Sequence, residues 1–430
     1  MIGVGEWFTT WRNGVLRYAQ FTRSELSLGV SQAWRFTDTD LSRADERFFS
    51  VIGIRSEQPE GTTTQPIIFQ PEIGLLAFAV RRRNAQTEWL MQCKIEPGNT
   101  HGAQLAPTVQ ATRSNIERAH AGAPTPLVDD ITKAPMVLAR GNWSEQGALF
   151  FGKHNENRTV IFDDDIAIPD SDVYRWVAAS DVRVLLTEEY AINTDARSVL
   201  ATGPWDLLAS SPRGPFHGEL RASYHAADRG VGRALDTLAH LRKTRRAPQR
   251  IPLASVDGIV LDPLSPTPVR HSHFAVHHVA ATSNTREVAQ WDQPLIASQH
   301  SGRIVLLLHP DHTGVLRARL QIDMSPGLTT SPEWSATVVE PLGTDRELPH
   351  YEVLAQVWTS EEGGRFDNWQ NEVIIGRTDA PLPTPATASV DLMPDLTLDL
   401  TLGALERLVR TPGAVTNELR TAVAVLLSLA

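Results

Sequence analysis

Gln65-Pro66-Ile67-Ile68 returns 228 residues later as Gln293-Pro294-Leu295-Ile296. Working outward, Gly74-Leu75-Leu76-Ala77-Phe78 faces Gly302-Arg303-Ile304-Val305-Leu306 at the same offset, and Glu96-Pro97-Gly98 faces Ser325-Pro326-Gly327 at 229. Ser144-Glu145-Gln146-Gly147 matches Ser360-Glu361-Glu362-Gly363 at 216, and Leu185, Leu186 and Arg197 match Leu408, Val409 and Arg420 at 223. Phe8 and Trp11 correspond to Leu238 and Leu241 at 230. The matches are collinear and their offset drifts slowly, which is the mark of an internal repeat. The reading is two modules, 1–213 and 214–430, joined near 210–218.

Each module opens with strand-like runs: 48–54, 75–81 and 88–95 in the first, 274–280, 304–308 and 316–322 in the second. Their apolar and β-branched residues are bounded by Gly, Pro and polar turns. Each module then ends helically. Ser180-Asp181 is expected to cap a helix over 182–188, and Thr194-Asp195 a second through Leu200. In the second module Thr401 precedes an apolar stripe at Leu402, Leu405, Leu408 and Val409, and Asn417 precedes a closing helix. Residues 220–246 read as a helical crossover, with the cluster at 242–246 as its solvated end. The fold class expected is α+β: a tandem duplication with a mixed β-sheet and flanking helices in each copy.

Composition narrows function by exclusion. The 430 residues carry a net charge of −10, so a general nucleic-acid or anionic-membrane surface is not expected. A single cysteine, Cys93, excludes an intrachain disulfide and a Cys-cluster metal site, and a reducing cytoplasm is the simple reading. No targeting segment or membrane span is read, since the apolar run at 422–430 is far short of the ~20 residues a spanning helix needs. No phosphate-binding Gly loop, nucleophile elbow or His-Glu-x-x-His is present. Two clusters tempt a metal reading. His271, His273 and His277 share strand parity, and Asp163-Asp164-Asp165 could collect a hard cation. A His-rich surface strand and a solvated turn are the favoured readings, so no metal and no cofactor are expected.

One segment is densely polar. Residues 90–115 read LMQCKIEPGNTHGAQLAPTVQATRSN. A strand delivers Lys94 and Glu96 two residues apart, on one face. Thr108, Gln110, Thr112, Arg113, Ser114 and Asn115 follow with little bulky apolar filling, a density costly to bury unless something is bound. Arg113 and Lys94 suit diphosphate oxygens. Amides such as Gln104 and Asn115 suit sugar hydroxyls and base edges. A second polar segment, 143–158, carries Trp143, Glu145, Gln146, Lys153, Asn155 and Asn157. Trp143 or Phe151 reads either as a stacking surface for a nucleobase or as ordinary core.

The words LMQCKIEPGN (90–99), QLAPTVQATRSN (104–115), WSEQG (143–147) and NTDARSVL (193–200) resemble those of the NDP-hexose 2,3-dehydratases of deoxysugar biosynthesis. The resemblance covers nearly the whole chain, duplication included. It implies Nudix-like modules, a homodimer, catalysis without a metal, and a dTDP-4-keto-6-deoxyhexose substrate that loses water across C2 and C3. The 3,4-diketo product implies a downstream ketoreductase. In such a reaction the C4 ketone acidifies the C3 proton, so a base, an enolate stabiliser and an acid for the C2 hydroxyl are needed. Glu96 and His120 are both candidate bases, Glu145 a candidate proton donor or orienter, and Lys94 a candidate enolate partner. Ile116 stands where the family has Tyr, and Gly152-Lys153-His154-Asn155-Glu156-Asn157 stands where it has an Arg-rich run. That departure keeps a repurposed or non-catalytic member as the alternative. In the second module Asp323 and Ser325 replace Lys94 and Glu96, so the working pocket is expected in the first module and a degenerate one in the second.

Overall fold

The computed structural model describes residues 3–430, apart from 59–60, 85, 100, 120–121, 163–166, 170–171, 345–346 and 383–396. It is a mixed α/β structure in two similar halves. In the first, strand Ser50–Gln58 pairs antiparallel with Gly61–Phe69, Val51 facing Ile68. In the second, Ala275–Thr282 pairs the same way with Gln290–Ala297, Val276 facing Ile296. The larger sheet of each half is built on a central strand, Gly74–Arg83 or Gly302–Pro310. Its apolar run, Leu75 to Val80 or Ile304 to Leu308, is buried on both faces, as expected for a strand covered on both sides. Each central strand takes one parallel neighbour, His154–Ile161 or Gln370–Arg377. Each outer strand, Met136–Ser144 or Glu352–Ser360, carries a register shift at the same place, Val137/Ala139 or Val353/Ala355.

The halves are interlocked. Strand Thr22–Glu25 of the first pairs with Ala275–Thr282 of the second, and Gln249–Ile251 of the second pairs with Ser50–Gln58 of the first. The two Pro-Gly turns cross in the same reciprocal way. Gly98 N–H donates to Gly363 O at 2.7 Å and Gly98 O accepts from Asn368 N at 2.9 Å. Gly327 N–H donates to Gly147 O at 2.7 Å and Gly327 O accepts from Gly152 N at 2.7 Å. Helices Thr194–Thr202 and Asn417–Leu426 pack together at the centre, and every residue of the first is buried. Arg420 Nε donates to Ser198 Oγ across them at 2.8 Å.

Local differences from the sequence reading have local causes. The helix expected over 182–188 is Ala179–Leu185, continuing directly from strand Tyr174–Ala178 with no side-chain cap. Asn193, not Thr194, caps Thr194–Thr202, its Oδ1 accepting from Ala196 N, and Thr416 caps Asn417–Leu426. The single crossover is two helices, Gly218–His225 and Gly230–Thr244. Between them Asp228 accepts from the backbone of Gly230 and of Thr401, which turns the chain.

A buried polar layer joins the halves, and it carries a pH prediction. Gln104 Nε2 donates to Ser360 Oγ at 3.0 Å, and at the equivalent place Ser144 Oγ donates to Glu333 Oε2 at 2.6 Å. One half therefore uses an amide where the other uses a carboxyl. Glu333 is fully buried, its Oε1 has no partner among the described residues, and burial pushes its pKa up to about 8. The unfolded chain releases this proton from near pH 4.5 upward while the folded chain keeps it, so stability falls as pH rises from there to about 8. At about 1.4 kcal/mol per pH unit the loss runs to several kcal/mol. Glu333→Gln is expected to raise the melting temperature at pH 8 and to change it little at pH 4.5. Equal shifts at both pH values would contradict this.

Candidate active site

Strand Gln86–Lys94 ends on Lys94, and Glu96 follows two residues on, just before the Pro97-Gly98 turn. The Pro97-Gly98 turn, pinned to the other half, fixes both. Lys94 Nζ lies 3.1 Å from Glu96 Oε1 and donates to Gln110 O at 3.4 Å. Asn193 Nδ2 donates to Gln110 Oε1 at 2.9 Å, and Gln110 Nε2 donates to Glu96 Oε1 at 3.3 Å. Asn193 is thus both a helix cap and the far end of a chain of bonds that holds Glu96. Glu96 Oε2 has no hydrogen-bond partner among the described residues.

Lys94, Glu96 and Gln110 line a cavity of about 340 Å³. Thr112, Asn115, Glu145, Gln146, Lys153 and Asn155 line it too, beside aromatic surface from Trp34, Phe49 and Phe366. The second half contributes Arg286, Trp291, Gln293, Glu362 and Arg365. The pocket expected in the first module is therefore walled by both, because the crossed Pro-Gly turns bring 362–366 against 96–98. A smaller cavity of about 240 Å³ adjoins it and shares Lys94, Gln110, Arg286 and Glu287.

Several expected ligand residues lie elsewhere. Thr112 caps the short helix Arg113–Ile116, which turns Arg113 outward to Glu117 at 2.7 Å with its side chain 68% exposed. Ser114 Oγ donates to Glu72 Oε2 at 2.6 Å. Thr108 is buried against the backbone of Leu90 and Ala79. Trp143 is core, its Nε1 donating to Val409 O at 3.0 Å. Asn157 donates to Ser198 and Thr202, and Gln104 belongs to the layer between the halves. His120 lies outside the described residues, as does Asp163-Asp164-Asp165. The three histidines diverge: His271 meets Asp257 O, His273 meets Ala148 O, and His277 meets Asp367 Oδ2. No group of three or more metal-ligating side chains converges among the described residues. Arg113→Ala is accordingly expected to leave KM for a nucleotide sugar and the melting temperature nearly unchanged, as for other exposed ion pairs. A large rise in KM on steady-state assay would overturn that.

The charges are sharply differentiated. Burial alone would raise the Glu96 carboxyl, but the Lys94 ammonium and the Arg286 guanidinium outweigh it and hold it below the usual carboxylate range. Burial raises Glu145 in spite of Arg420 and Lys153, and its two oxygens accept from Asn155 Nδ2 at 2.6 Å and Asn417 Nδ2 at 2.9 Å. Asp195 is raised well above its ordinary value, by burial first and then by Glu362, Glu145 and Glu96. Burial lowers Lys153 to about 8. One cavity thus holds a carboxyl pulled down by neighbouring cations and carboxyls pushed up by burial, the kind of divergence that separates a general base from a general acid.

The family model for NDP-hexose 2,3-dehydratase matches residues 4–202 and again 234–426. The chain belongs to that family. It is therefore a carbon–oxygen lyase that dehydrates a nucleotide-activated hexose. Three relatives carry the name dTDP-4-dehydro-6-deoxy-alpha-D-glucopyranose 2,3-dehydratase. The Saccharopolyspora spinosa protein is 31% identical over 98% of this chain and 91% of its own length. The Streptomyces violaceoruber protein is 31% identical over 89% of each, and the Amycolatopsis orientalis protein 29% identical over 79% of this chain and 74% of its own. In this dehydratase the cavity residues that sequence reasoning missed include Asp195, Glu362, Arg286 and Arg365. Asp195 stands inside the word NTDARSVL, and Glu362 is the repeat partner of Gln146. Arg286 and Arg365 carried no local signal.

Proposed function

We propose that the protein removes water across C2–C3 of dTDP-4-keto-6-deoxyglucose, giving the 3,4-diketo sugar. The observation that carries this is the Lys94–Glu96 pair at the wall of the cavity, an ionised carboxylate with one unpartnered oxygen beside a cation. The C4 ketone makes the C3 proton acidic. Glu96 takes that proton, and Lys94 stabilises the charge that builds on O4. Arg286 and Arg365 suit the diphosphate, and Gln110, Asn115, Gln146 and Asn155 the sugar hydroxyls. Glu145, tied by two amides, orients rather than reacts. Lys153 and Asn155 still line the cavity, so the altered 153–157 segment does not favour a repurposed binder.

The same reading takes the halves 1–213 and 214–430 as Nudix-like modules in a homodimer in the cytoplasm. Exposed Met136, Val137 and Val353 on the outer strands supply apolar surface suited to a second copy. No helix among the described residues is long and apolar enough to cross a membrane. A ketoreductase that consumes the electrophilic vicinal diketone completes the proposal. The function is tested by incubating the protein with dTDP-4-keto-6-deoxyglucose and 1,2-diaminobenzene, which condenses with vicinal diketones. Mass spectrometry should find the cyclised adduct of a sugar that has lost one water. Recovery of unchanged or merely isomerised substrate would refute it.

A further inference from the structure

The departing C2 hydroxyl needs a proton, and the roles given above leave Glu96 with the C3 proton and Lys94 with O4. We propose that Asp195 is the general acid that protonates it. This rests on the dehydration reading and adds a residue to it.

Asp195 is the second residue of helix Thr194–Thr202. Most other polar side chains of that helix and its cap are engaged within the protein. Asn193 caps the helix and holds Gln110, Thr194 meets Asn417 and Thr421 across the interface, and Ser198 and Thr202 hold Asn157. Asp195 differs from each of them. It lines the cavity with Lys94 and Glu96, its relative exposure is 5%, and burial and the neighbouring carboxyls are the largest influences on its carboxyl. A carboxylate so buried would be costly, and burial accordingly favours the protonated form. The carboxyls facing it work the same way. Glu362 arrives from the second half, Glu145 and Glu96 from the first, and against them stand two cations, Lys94 and, from helix Asn417–Leu426, Arg420. Two carboxyls sharing one site cannot readily both ionise, so Glu362 pushes Asp195 towards its protonated form. The second half thereby supplies a wall that sets the protonation of a first-half residue.

The balance closes. Glu96 removes the C3 proton, and the electron pair enters the C4 carbonyl as an enolate. As C4=O re-forms, the pair makes the C2=C3 bond and the C2–O bond breaks. Asp195 gives its proton to the leaving oxygen, which departs as water. In the enol that remains, C2 then takes the proton held by Glu96 and the O3 proton passes to Asp195, so both carboxyls are restored and the sugar becomes a 3,4-diketone.

Because enolisation needs Glu96 and Lys94 but not Asp195, the two half-reactions separate. In deuterium oxide, Asp195→Asn should still exchange the C3 proton of dTDP-4-keto-6-deoxyglucose, read by NMR, while its dehydration rate falls about 10²–10⁴-fold. Glu96→Gln should lose both. The alkaline limb of the wild-type kcat profile, where Asp195 gives up its proton, should be missing from the residual activity of Asp195→Asn. Asp195→Ser, smaller than the native side chain, keeps the test open if the amide fails to fold. Full dehydration by either variant would overturn the proposal. So would a folded, dTDP-binding variant that has lost exchange as well. Failure of the wild-type protein to dehydrate this sugar is a separate result, and it would strike the function itself.

Discussion

Glu96→Gln is expected to lower kcat for dehydration by about 10²–10⁴-fold while leaving KM within a few-fold, the range for loss of a positioned general base. The amide keeps the shape and can still accept from Lys94 and Gln110, so binding and fold should survive. What is lost is the basic oxygen, Oε2, which has no hydrogen-bond partner among the described residues. Because Lys94 and Arg286 hold the Glu96 carboxyl below its ordinary value, wild-type activity should persist down to pH values below the usual carboxylate range and fall only as that group protonates. The variant should lack this acid limb. A kcat unchanged in Glu96→Gln would remove the base from the account.

Gly98→Ala is expected to be the most destabilising single methyl in the chain's first half. A Cβ there would sit 1.6 Å from Phe366 O and 2.7 Å from Phe366 C, and both are backbone atoms that cannot step aside. The turn would have to withdraw, breaking the bonds to Gly363 and Asn368. Losses above about 4–5 kcal/mol are exceptional for one substitution, and this close approach belongs among them. Withdrawal would also draw Lys94 and Glu96 away from Glu362 and Arg365, so any folded fraction should be inactive. Gly14→Ala in helix Val4–Ala19 is the control, because nothing lies within 4 Å of its Cβ. That change should add about 0.5–1 kcal/mol to stability. Denaturation midpoints that coincide for the two variants would show that the halves do not depend on this contact.

These two substitutions mark what the sequence could and could not reveal. The duplication was legible because scaffold words such as Gln65-Pro66 and Gln293-Pro294 keep their order and spacing, and both copies fold alike. Lys94 and Glu96 were legible because they stand two residues apart where a strand runs into the Pro97-Gly98 turn. Arg113 misled, since a local polar pattern does not say which side of a one-turn helix each residue takes, and Thr112 caps that turn so that Arg113 faces water. Asn157 and Gln104 misled for another reason. Their polarity satisfies buried partners, Ser198 and Ser360, that lie 41 and 256 residues away. Glu362 and Arg365 stayed hidden because they reach the cavity only through the crossing of two Pro-Gly turns, and nothing local to SEEGGRF announces that crossing.

A structure of the Glu96→Gln variant with dTDP-4-keto-6-deoxyglucose bound tests the central claim most directly, namely that both halves wall one dehydrating cavity. The sugar should lie between the first half's Lys94 and the second half's Glu362, with C3 facing the side chain at position 96, the C2 hydroxyl facing Asp195, and the diphosphate near Arg286 and Arg365. A sugar ring seated in the second half beside Asp323 and Ser325, or held by first-half residues alone, would contradict the account.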